Sequence, residues 1–264
     1  MSGAGPAAAA ADATASRPPS AGFDSTLAFV RDPYGFVGAT SRRLGSDVFR
    51  ARLLLQETIC MTGRDAAEMF YNSPHLIRKG AAPSRLTATL FGRGGVQGLD
   101  GEAHRVRKAM LMSLMTPERL TALGDRVDEL LRDRTDAWRR GGRLQLYAAS
   151  REVLCRAVAD WSGVPMTPEE APTRCAELTA LFESAGAIGP RHWRGRRARR
   201  RAERWASQLV QRVRRGELTA APDTALHTIA RHHDVNGEPL SARVAAVELL
   251  NVLRPTVAIS VYVV

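Results

Sequence analysis

Cysteine is scarce in this chain. Three occur in 264 residues, Cys60, Cys155 and Cys175. Their wide spacing excludes a disulfide framework and the paired spacing of a zinc site. A reducing, cytoplasmic compartment is therefore expected. Targeting signals are missing too. Met1 to Gly22 is rich in Ala, Ser, Pro and Gly, without a basic start or a Leu-rich centre. Residues 1–22 read as a disordered tail rather than a signal peptide. No uninterrupted apolar stretch reaches the roughly 18–20 residues that a bilayer requires. The long apolar run Arg243 to Val264 is broken by Glu248, Asn251, Arg254 and Pro255, so no transmembrane segment is expected. There is no internal repeat, and no linker after residue 22 long enough to force a domain boundary. Residues 23–264 read as one domain of ordinary globular composition, 44% hydrophobic and 25% charged.

The net charge of +11 is concentrated. Arg191 to Arg204 holds eight arginines against one glutamate, and the rest of the chain carries only +4. A solvated helix face explains such a run. So does a grip on a nucleic-acid backbone or an anionic membrane surface, with Trp193 and Trp205 close by. No recognised nucleic-acid motif accompanies it, and no nucleic-acid partner is expected.

Helix dominates after residue 100. Asp47 to Leu55 and Thr58 to Thr62 predict a two-strand hairpin around Gln56-Glu57, followed by a short helix over Arg64 to Asn72. Asp100 predicts the cap of a helix reaching about Met115, and Thr116-Pro117 starts a helix that Gly141-Gly142 ends. Arg143 to Leu146 suggests a brief strand. Further helices are expected over Ala148 to Trp161, from Thr167-Pro168 to Glu183, over Arg191 to Arg214, over Asp223 to His233, and from Ser241 onward. His232-His233-Asp234 lacks metal-site spacing and reads as a polar helix end.

Two segments carry chemistry. Arg254 sits in the apolar run, and an unpaired buried charge costs several kcal/mol. It either pairs with a carboxylate on a neighbouring segment or awaits an anion. Pro255 removes a backbone N–H and crowds the carbonyl of Asn251, which predicts a kink. The second segment, Gly94 to Lys108 (GGVQGLDGEAHRVRK), is a glycine-rich turn opening a helix whose first turns hold His104, Arg105, Arg107 and Lys108. His104 and Lys108 share a face. Donors converging at a helix start suit phosphates or carboxylates, although a solvated basic face has the same pattern.

Taken in order, LFGRGGVQGLDGEAHRVRK, GPRHWRGRRARR and LRPTVAI resemble the fatty-acid hydroxylating peroxygenase branch of the cytochrome P-450 superfamily, from about Phe29 to Val264. The resemblance implies a mainly α fold: the N-terminal part of the cytochrome P-450 fold with a small β-hairpin near the N-terminus, truncated inside the long central helix. It implies haem as cofactor, with Gln97, His104 and Lys108 at the propionates. Arg254 would bind the carboxylate of a long-chain fatty acid, Pro255 would shape the pocket beside it, and Leu90 and Phe91 would line the substrate channel. That carboxylate would then assist cleavage of the O–O bond of hydrogen peroxide, and no redox partner would be required. Ordinary members carry an acid-alcohol pair where this chain has Arg254-Pro255-Thr256. The arginine-rich stretch matches an outer helix that is basic in relatives.

The chain departs from the family at the haem ligand. The family's axial cysteine lies in a glycine-flanked loop further on, and Cys60 (TICMTG), Cys155 (VLCRAV) and Cys175 (PTRCAEL) read as buried small side chains. Glu129-Leu-Leu-Arg132 has the spacing of the family's Glu-x-x-Arg helix but lies too early. The sequence stops at Val264 within the apolar pattern, so residues 23–264 are expected to form an incomplete domain, an N-terminal fragment inactive by itself. A non-catalytic remnant is the alternative.

Overall fold

The computed structural model describes residues 17–72, 76–141 and 144–263. Most of the expected tail lies outside the described residues. The chain divides into two compact units, Met1–Leu76 and Ile77–Val264.

In the first unit, helices α1 (Thr26–Arg31) and α2 (Phe36–Leu44) precede an antiparallel hairpin, β1 (Val48–Leu53) and β2 (Gln56–Met61), and helix α3 (Arg64–Asn72) follows. The hairpin was foreseen, but its turn was not. Gln56 and Glu57 pair with Leu53 and Arg52, and the chain reverses at Leu54-Leu55, with φ of 52° and 67°. Such a turn is usually signalled by Asn-Gly; two exposed leucines give no such signal. Alternation along β1 turns Phe49 and Ala51 inward, onto Phe36 and Cys60. Phe36 meets Phe29 and Phe49 edge to face.

The second unit is helical. A single α turn, α4 (Ser84–Leu86), widens into a π-turn at Thr87–Phe91, and a 3-10 turn at Val96–Gly98 leads to α5 (Gly101–Ser113). Then come α6 (Pro117–Gly141), α7 (Leu146–Trp161), α8 (Ala171–Glu183), α9 (Gly189–Arg214), α10 (Ala225–Arg231) and α11 (Ala242–Ala258), which ends in a 3-10 turn at Ile259–Tyr262. The proposed strand at Arg143 to Leu146 is not formed where it is described. Leu144 and Gln145 are irregular and Leu146 already opens α7, while Gly142 and Arg143 lie outside the described residues. The Thr167 signal is real but acts one turn early. Thr167 and Glu170 cap each other's backbone N–H, at 3.3 and 3.4 Å, and regular helix begins at Ala171.

α11 is the axis of this unit and packs on α7, α8, α9 and α10. Ser241 Oγ accepts from the Val244 N–H at 3.2 Å and starts it. By length and composition Ala242–Tyr262 could cross a bilayer, yet most of it is buried against the other helices, as in a core helix. Pro255 does not end it: the helix continues to Ala258.

Candidate functional site

Arg254 is 9% exposed on α11, which otherwise buries Leu249, Leu250, Leu253 and Val257. It takes part in no ion pair among the described residues, and its buried Nε has no hydrogen-bond partner. Burial, and next the nearby charge of Arg199, push its pKa down from the usual arginine range to about 10. It still carries its proton at neutral pH. Of the two roles open to a buried arginine, the structural ion pair is not made. Pro255, beside it, is exposed.

The other buried arginines of the unit are partnered. Arg107 Nη1 meets Glu248 Oε1 at 2.7 Å, with Glu248 fully buried. Asn251 donates to Glu248 Oε2 at 3.1 Å and to Gln97 Oε1 at 3.2 Å. One network therefore joins α5, the 3-10 turn and α11, and fixes Gln97 one helical turn before Arg254. Removing one partner of such a pair strands the other charge, a loss of roughly 3–5 kcal/mol.

Arg199, on α9, is 3% exposed. It donates to the carbonyls of Leu90 at 3.0 Å and Phe91 at 3.2 Å, and its Nε meets Glu203 at 2.6 Å. It thus closes the C-terminal end of the π-turn that holds Leu90 and Phe91, both half-buried. The loop after that turn lies against α9 and α11. A Cβ on Gly92 would stand 1.9 Å from Arg199 Nη2, and one on Gly95 would stand 2.9 Å from Val247 Cγ1.

At the start of α5 the expected side-chain cap is not made. Asp100 occupies the capping position, but its carboxylate accepts the backbone N–H groups of Arg78 at 2.6 Å and Lys79 at 3.0 Å. These bonds hold its pKa below the usual carboxylate range. His104 is half-buried, and burial first, then the cations Arg78 and Lys108, push its pKa down against the pull of Asp100. Lys108 is exposed. Positive groups therefore gather here around one already satisfied carboxylate, an arrangement that attracts anions.

Of the residues picked from the sequence, the structure ties Gln97 to α11 near Arg254, ties Leu90 and Phe91 to Arg199, and puts His104 and Lys108 together at the start of α5 with Arg78 nearby. The sequence reading missed Arg199 and the Arg107–Glu248 pair. Arg199 was hidden in the arginine run. Its signal was the stripe Gly195, Ala198, Ala202, Ala206, which marks the buried side of α9 next to it. Three clefts of about 570, 520 and 610 Å³ in this unit are lined by α8, α9 and their neighbours, without Arg254.

Solved structures resemble this arrangement closely. Cytochrome P450SP alpha (CYP152B1), in complex with (R)-ibuprofen, is 47% identical with a TM-score of 0.87, over 92% of this chain and 60% of that one. Cytochrome P450EX alpha (CYP152N1), with myristic acid, is 44% identical with a TM-score of 0.86, over 93% of this chain and 59% of that one. A variant of cytochrome P450 OleT in complex with arachidonic acid is 29% identical with a TM-score of 0.87, over 92% and 59%. The chain thus spans about three fifths of the length of the structures it matches. No family model matches it.

Proposed function

Because the chain belongs to the cytochrome P-450 superfamily, in its fatty-acid peroxygenase branch, we propose that it forms the carboxylate-binding part of a haem enzyme that hydroxylates long-chain fatty acids with hydrogen peroxide. One observation carries this reading: Arg254 is buried and takes part in no ion pair among the described residues. A guanidinium in apolar surroundings selects a carboxylate with an aliphatic tail, since the charge-assisted bonds fix the acid and the apolar walls take the chain. The fatty acids in the relatives' structures support the same ligand class.

The cationic group at α5 fits the acidic edge of a haem. His104, Lys108 and Gln97 would hold the propionates, and haem, when bound, supplies the oxidising chemistry. Its axial thiolate is not provided by the cysteines present. Cys155 and Cys175 lie in the helical core and Cys60 in the hairpin core. In this reading the 264-residue chain is inactive alone. Arg254 holds the substrate carboxylate where one carboxylate oxygen can take a proton from the peroxide and return it to the departing oxygen, so neither a protein acid nor a redox partner is needed. Leu90 and Phe91, braced by Arg199, wall the aliphatic chain, and Pro255 shapes the pocket beside the arginine. The reaction belongs in the cytoplasm, consistent with three free cysteines.

The test is Arg254→Ala in a longer chain that supplies the thiolate and is loaded with haem. Loss of the buried cation should lower kcat/KM for a long-chain fatty acid by about 30- to 5,000-fold, at 2–5 kcal/mol for a desolvated charge pair. Unchanged hydroxylation by this variant would refute the assignment.

A further inference from the structure

The outer face of α9 is charged beyond any structural need. Trp193, Arg197, Arg200 and Arg204 follow at steps of four, three and four residues, on one stripe, with Arg194 and Arg201 beside it. All six are exposed. None of the five arginines is in an ion pair among the described residues, and the one acidic side chain of the run, Glu203, is taken by buried Arg199. Like charges three and four apart destabilise a helix by roughly 0.2–0.5 kcal/mol each. The face therefore repels itself until an anionic surface meets it. Apolar anchors stand at the same end: Trp193 is 55% exposed and Ile188, just before the helix, is 70% exposed. Arg194, Arg197 and Arg201 also line one side of a cleft of about 570 Å³ whose floor includes Ala176, Ala180 and Ala198.

We propose that this face of α9 binds an anionic lipid bilayer peripherally, with Ile188 and Trp193 seated in the interface and the arginines on headgroup phosphates. A basic stripe alone would suit a nucleic-acid backbone equally. The two apolar anchors beside it favour a surface with an apolar layer under the charges. The proposal does not depend on the haem or on Arg254.

Co-sedimentation of the chain with vesicles tests it. Phosphatidylcholine vesicles containing about one third phosphatidylglycerol should retain the protein, pure phosphatidylcholine vesicles should not, and retention should fall as salt rises. The triple variant Arg197→Gln, Arg200→Gln, Arg204→Gln should partition about a hundredfold more weakly, at about 1 kcal/mol for each cation near the surface. Its circular dichroism should match that of the parent, and if it does not, the salt titration of the parent decides. Equal binding to both vesicle types would overturn the proposal, as would no effect of salt. Stronger retention of duplex DNA than of anionic vesicles would assign the face to nucleic acid and overturn it too.

Discussion

At Arg254 function and stability oppose each other. Its folded pKa, about 10 and so well below the usual arginine range, means that the folded chain bears a cost on the order of 3 kcal/mol while the residue stays protonated in both states. That cost is constant below about pH 10. Above it the folded group releases its proton while the unfolded one keeps it, so this term makes folding more favourable as pH rises above about 10. Arg254→Met removes the charge and keeps most of the apolar stem. It should raise unfolding free energy by about 1–3 kcal/mol in urea titrations while abolishing fatty-acid binding. A variant both less stable and unable to bind would show that the arginine serves the core. Ligand binding has the opposite pH sign. It needs the protonated guanidinium, so affinity for a fatty acid should be level from neutrality to about pH 9 and fall as pH passes about 10. A pH titration of fatty-acid binding checks this.

At the scale of elements, the loop from Gly92 to Gly98 positions Gln97 and braces the π-turn. Gly92 has a φ of 81°, and any side chain there meets the Arg199 guanidinium. Gly92→Ala should therefore break the bonds to the Leu90 and Phe91 carbonyls as well as strain the backbone, a loss of roughly 2–4 kcal/mol. Gly98→Ala, six residues on, meets nothing within 4 Å and has no positive φ, so it should change stability by less than about 0.5 kcal/mol. Chemical denaturation of the two variants separates a requirement for close approach from a loop that merely happens to contain glycine. The comparison also shows what the sequence made legible. Arg64–Asn72, Pro117–Gly141 and the start of α11 at Ser241 were readable because each carries its own local signals: a short amphipathic pattern, proline after threonine, serine before an apolar run. Arg254 was readable because a charge inside an apolar run stands out. Arg199 was not, because one arginine among eight is distinguished only by which side of the helix it faces. Nor was the capture of the Arg78 and Lys79 backbone by Asp100, a contact across 21–22 residues that competes with local capping. The leucine turn was missed because it lacks turn residues, and α1 and α2 because they are short, although Asp24-Ser25 precedes the first and Gly45 closes the second.

Over the whole molecule, the two units differ in how much apolar surface holds each together. The first rests on four buried residues, and two of these, Ala51 and Cys60, are small. Phe36 and Phe49 contribute about 1.5–3 kcal/mol each when fully buried, little against the backbone entropy of some 50 ordered residues. The second has a continuous core running through α7 to α11, in which Ala245, Ala246, Leu249, Leu250 and Leu253 of one helix are fully buried. Local opening should follow this difference. In hydrogen–deuterium exchange, amides of β1 and β2 should exchange at least about a hundredfold faster than those of α11 between Ala245 and Leu253, corresponding to a gap of about 3 kcal/mol in opening free energy. Cys60 offers a second readout in the same unit. Burial raises its thiol pKa, so it should stay unreactive in the closed state and be labelled by a thiol reagent at the opening rate of the hairpin. Cys155 and Cys175, in the larger core, should be labelled only when the helices unfold. Equal protection of the two sets of amides, together with equal labelling of all three thiols, would mean that the units open as one cooperative body, and that the small core of the first does not set its stability.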